Sequence, residues 1–175
     1  MLIEHEGSRP SIAESAYVAP NAVACGDVTV GEGARVLFGA VLVADGGPVE
    51  VGSHSIVMEH ALVRGRDGHA ARIGAHVIVG PHAHVNGAVV ERSSQPASPS
   101  SRARRSERGP RSASNGVVHV NTRIPPEGLV PISWIAVGDP AEIFPPHEHE
   151  RIWAIQEGST SRAPSSACPV LPPAS

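Results

Sequence analysis

Ten histidines in 175 residues are the first candidates for chemistry, because imidazole binds metals, relays protons and titrates near neutral pH. Their spacing is ordered. His54 and His76 are separated by the same interval as His60 and His82, and that interval also separates Arg64 from Asn86. If the interval is one turn of a repeating structure, each pair is stacked. Stacked imidazoles resist double protonation, so such a pair is a pH-sensitive contact, part of a metal site or a solvated ladder. His60, His82 and nearby His84 are the candidate metal ligands. His69 stands apart in RGRDGHAA, a loop bordered by glycines; a histidine so placed is either a general base or simply exposed.

Composition limits the rest. The net charge is -3, hydrophobic residues make up 41% and aromatics 3%, which suits one domain with a core and offers no stacking platform for nucleic acid. Glycine and proline number 18 and 17, favouring an all-β chain rich in turns. Cys25 and Cys168 form no metal or redox motif, and no signal peptide is evident, so a cytoplasmic setting is expected. No apolar run approaches the roughly 20 residues of a membrane helix.

The elements that would hold these residues follow a six-residue beat. Ile12, Val18, Ala24, Val30, Val36 and Leu42 are evenly stepped. The beat resumes at Val51, Val57 and Val63, again at Ile73, Val79 and Val85, and finally at Val118, Ile124, Val130 and Ala136. Four residues after a beat the side chain is usually small, as at Ala16, Ala22, Ala34, Ala40, Ser55, Ala61 and Ala83. Neither a plain strand nor an amphipathic helix has this period. Short strands joined by tight corners do. The pattern resembles the hexapeptide-repeat family, which implies a left-handed parallel β-helix with three hexads per triangular coil, stacked as a solenoid. PPHEHERIWAIQ (Pro145 to Gln156) reads as a short helix presenting Ile152, Trp153 and Ile155.

One stretch breaks the beat. ERSSQPASPSSRARRSERGPRSASNG (Glu91 to Gly116) is almost only Ser, Arg, Pro, Ala and Gly, and counting back from Val118 puts serine at Ser94, Ser100, Ser106 and Ser112. Read one nucleotide earlier, suitable serine codons spell valine at all four places. The segments 92–114 and 158–175 are therefore read as out-of-frame translations, the alternative being a disordered insertion. The chain divides into β-helix coils over 1–91, this segment over 92–114, a terminal coil over 115–143, a C-terminal α-helix over 144–157 and a tail over 158–175.

VLFGAVLVADGGPVEVG, VMEHALVRG, IGAHVIVGPHAHVNGAVVE and VPISWIAVGDPAEI resemble segments of the γ-class carbonic anhydrases. The resemblance implies a homotrimer with zinc between subunits, held by two histidines of one chain and one of the next. Such a metal lowers the pKa of bound water to about 7 and so makes hydroxide that attacks CO2. The three ligand positions fall on Arg64, Pro81 and Asn86, none of which is histidine. Guanidinium and proline cannot ligate zinc. Two supporting positions also depart from the family, at Val43 and Met58, whereas Asp45 remains and Glu59 stands for an aspartate. The expectation is a trimeric structural or small-molecule-binding protein with no bound cofactor, in which Arg64 of one subunit pairs with Glu59 of another. The alternatives are CO2 hydration at a relocated zinc site, or acyl transfer using His69, since hexapeptide acyltransferases carry a general-base histidine on such a loop beside a CoA groove. Asp45, Glu59 and His69 are the catalytic candidates; no nucleic-acid or membrane partner is expected.

Overall fold

The computed structural model describes residues 1–91, 111–112, 115–126 and 128–148. They form a left-handed β-helix of short parallel strands, three faces around one core. The first face is an eight-stranded sheet that includes Leu62–Gly65, His84–Asn86 and Val117–Val118; the second and third have six strands each. Every beat from Ala24 to Ala136 named above is buried, while Ile12 and Val18, at the open end, are half-buried. Ser94, Ser100, Ser106 and Ser112 lie outside that statement. Residues on either side of a beat point outward, because successive side chains of a strand alternate between faces.

The beat fixes the register. Val63 pairs with Leu42 below and Val85 above, and Arg64 pairs with Asn86. The small residues after each beat fill the corners, where Ala22, Ala34, Ala40, Ala61 and Ala83 are buried. Ser55 is the polar member of that set. Its hydroxyl donates to the Gly74 carbonyl at 2.6 Å and accepts from the Val77 amide at 3.0 Å, so burial leaves it satisfied.

The corners also explain the histidines. His54, His60, His76 and His82 all have φ between 56° and 59°, a left-handed conformation in which Asn, Asp and His are enriched among residues with a side chain. Glycine occupies the same corners one coil below. A Cβ on Gly33 would lie 2.6 Å from Nδ1 of His54, and one on Gly39 would lie 2.5 Å from Nδ1 of His60. The missing side chain is what lets the imidazoles of His54 and His60 lie over the corners beneath them.

Three features depart from the simple beat. Gly87, at φ +51°, shortens one corner, so Val90 rather than residue 91 takes the next core position, paired with Ile73 and Ile124. Arg111–Ser112 forms a strand of the third face, with Ser112 in register between Val79 and Val130. Where Ile73 is followed by Val79, Val90 is thus followed only by Ser112; Ser94, Ser100 and Ser106 lie outside the described residues. Finally, Glu142–Phe144 turns back and pairs antiparallel with Ile135–Val137, covering the edge of the first face. Of the helix expected over 144–157, Phe144 instead ends the strand Glu142–Phe144, and a turn follows in which the Glu148 amide donates to the Pro145 carbonyl; the rest of that segment and the tail over 158–175 lie outside the described residues.

Candidate functional site on the first face

Arg64, Asn86 and His119 each follow a beat of the first face, at Val63, Val85 and Val118, and these three beats are ladder neighbours. The three residues therefore occupy outward positions one coil apart. His84 precedes Val85 on the same surface. Arg66, at the rim, joins the group through its Nε, which donates to Oδ1 of Asn86 at 3.1 Å, and through an ion pair with Asp45 at 3.6 Å.

The group is cationic and partly covered. Arg64, His84, Asn86 and His119 are half-buried. Burial first, then the charges of Arg64, His119 and Arg66, hold His84 below the usual imidazole value; burial alone lowers His119. Both rings are held toward the neutral form, which can accept as well as donate a hydrogen bond. Arg64 Nε and His84 Nε2 are buried without a hydrogen-bond partner among the described residues. A covered donor without an acceptor carries an energetic cost, so this surface is chemically incomplete in the single chain.

The other candidates are dispersed. His60 stacks on His82 with ring centroids 5.1 Å apart, and His54 on His76 at 5.2 Å. All four rings are exposed corner residues. His84 belongs to a strand of the first face, away from that corner column, and no group of three or more His, Cys, Asp or Glu close enough to share a metal exists among the described residues. Glu59 and Pro81 occupy the corner between the third and first faces on successive coils, with the His82 amide donating to the Glu59 carbonyl. His69 is exposed, its backbone bridged to Arg66. It borders a cavity of about 190 Å³ with Asn121, Arg123 and Asp139, smaller than the roughly 300–1,000 Å³ of small-molecule pockets. A groove of about 870 Å³ runs along the second face past Glu50, Arg72 and Gly74.

The stacked coils and their sequence have relatives. Over 54 residues, 31% of this chain, the sequence is 41% identical to "Gamma carbonic anhydrase 3, mitochondrial" of Arabidopsis thaliana. Over the same length it is 48% identical to "Gamma carbonic anhydrase-like 1, mitochondrial" of that plant. The chain spans about a fifth, 21%, of the length of these relatives. A crystal structure from Bacillus cereus, of a candidate acetyltransferase, superposes with a TM-score of 0.50 at 17% identity and covers 91% of this chain and 90% of that one, a likeness of fold. No protein-family model matches. Over the 54 matched residues the chain resembles the γ-carbonic anhydrases, and its fold is the hexapeptide-repeat β-helix.

The positions that the resemblance gives to zinc do not suit the metal. Arg64 and Asn86 are ladder neighbours as the beat requires, but a guanidinium has no free donor pair and repels a cation. An amide is a poor partner for zinc, which takes histidine, thiolate or carboxylate. Sequence reasoning missed His119. The signal was present: it stands after Val118, the beat one coil beyond Val85, and so continues the column of Arg64 and Asn86.

Proposed function

We propose that this protein is a homotrimeric β-helix that acts as a structural or small-molecule-binding member of the γ-carbonic-anhydrase-like group, without zinc-dependent CO2 hydratase activity. The observation that carries this reading is the Arg64–Asn86 pairing on adjacent coils. It puts a guanidinium where a metal ligand would stand, with Arg66 adding a second positive charge beside it. The scaffold that would position ligands is intact while the donor chemistry is exchanged for hydrogen-bond donors suited to a carboxylate or other anion. His84 and His119 do not restore the metal site, since Arg64 and Arg66 disfavour a cation there.

Zinc content, CO2 hydration rate and sedimentation-equilibrium mass of the full chain test the proposal together. A trimer with neither stoichiometric zinc nor hydration above the buffer rate is expected. A trimer that retains zinc and hydrates CO2 overturns the loss of activity, and a monomer overturns the assembly.

A further inference from the structure

The column that carries Arg64 changes in kind along the first face. Below Arg64 it holds Val43 and Cys25; above come Asn86 and then His119. In the neighbouring column Leu62 and Val117 lie below and above His84. A few polar side chains are thus set among half-buried apolar ones, which is the make-up of a small-molecule site.

The polar groups are donors in want of an acceptor. Arg66 is already engaged, through its ion pair with Asp45 at 3.6 Å and its Nε bond to Oδ1 of Asn86 at 3.1 Å. A guanidinium only donates, so that bond fixes the oxygen end of the Asn86 amide and leaves Nδ2 as an oriented donor. Nδ2 is uncovered and unbonded among the described residues. Arg64 has no carboxylate within ion-pair distance among the same residues. Its Nε is covered, while Nη1 and Nη2 are neither covered nor bonded; the stem lies against the face with its fork open. Beside it His84 presents a ring that burial and the nearby charges keep toward the neutral form, which retains one N–H donor.

One uncompensated positive charge and a set of oriented donors match a single small anion. The paired nitrogens of a guanidinium suit the two oxygens of a carboxylate, and a cation is repelled from the same place. We propose that the first face binds a small organic carboxylate without any metal, its oxygens held by the Arg64 fork and Asn86 Nδ2, with His84 beside them. This rests on the small-molecule-binding reading above and names its ligand class. The apolar surround of Val43, Leu62 and Val117 lowers the local dielectric and strengthens the pairing.

Saturation-transfer NMR on the methyl protons of acetate, titrated into the full chain at constant ionic strength, tests the site. Saturable binding is expected, weakened by roughly tenfold or more in Arg64→Gln and in Asn86→Asp, the loss of one charge-assisted bond. Arg64→Lys, which keeps the charge but not the fork, is expected to bind less tightly than wild type. Arg72→Gln, on the second face, is expected to bind as wild type does. Circular dichroism checks that each variant keeps its β signal, and the Arg64 variants carry the test even where Asn86→Asp loses it. A wild-type chain without saturable binding overturns the proposal while leaving the loss of hydratase activity standing, and so does an Arg64→Gln chain that binds acetate unchanged. Chloride or phosphate that displaces acetate at equal or lower concentration also overturns it, by giving the face to anions in general or to tetrahedral ones. Stoichiometric zinc with CO2 hydration in the same preparation instead overturns the reading on which the proposal rests.

Discussion

Ser55→Ala separates the repeat pattern from the structure. The equivalent positions Ala22, Ala34, Ala40, Ala61 and Ala83 are alanine, so the repeat alone calls this change neutral or stabilising. The structure gives the opposite sign. The buried Ser55 hydroxyl is bonded to the Gly74 carbonyl at 2.6 Å and the Val77 amide at 3.0 Å. Removing it breaks two hydrogen bonds worth about 1 kcal/mol each and leaves a buried amide without an acceptor. The expected loss is about 2 kcal/mol, and for a chain of this size that lowers the melting temperature by about 4–8 °C. Circular dichroism melts of the full chain at one fixed protein concentration measure it, since assembly makes stability concentration-dependent. A Ser55→Ala protein that melts at or above wild type would falsify the hydrogen-bond argument and favour the pattern.

Stability should fall on acidification. His84 and His119 both sit below the usual imidazole value in the folded chain, so the unfolded chain takes up protons first. Their contribution is full above the unfolded value and is lost as pH falls through it toward the folded values. Urea midpoints at pH 8 and pH 6 should show this, with a shallower decline in His84→Gln; an identical slope in that variant counts against the assignment. Restoring histidine at Arg64, Pro81 and Asn86 together should give stoichiometric zinc measurable by elemental analysis, whereas metal content at the wild-type level would mean that the column does not converge between copies. The nucleotide sequence from codon 88 onward is expected to show one base displaced between GAVVE and NGVVHVN. Codons that cannot spell valine at Ser94, Ser100, Ser106 and Ser112 would remove the frame reading.

The core was legible because each coil repeats the same local problem. A branched residue every six positions faces inward, and contact between coils follows from counting. That arithmetic placed Arg64 beside Asn86 and stacked both histidine pairs. It also reached Ser112, whose backbone joins Val79 and Val130 in the ladder. Counting fails where a corner changes length. Gly87 shortens one and moves the core position to Val90, a shift that depends on a left-handed backbone angle rather than on hydrophobicity.

The sequence by itself determined the period, the inward residues and the unsuitability of Arg64, Pro81 and Asn86 for zinc, because ligand chemistry and strand alternation are properties of residue type and order. Only the tertiary structure decided what surrounds them. Burial lowers the two imidazoles of the first face, and Ser55 earns its place by bonding across a coil boundary. The turn-back of Glu142–Phe144 covers a sheet edge, and the third and first faces meet at the corner carrying Phe38 and Glu59. These depend on which coils lie next to one another and how closely, and solvent exposure is set by the stacked whole rather than by any one hexad.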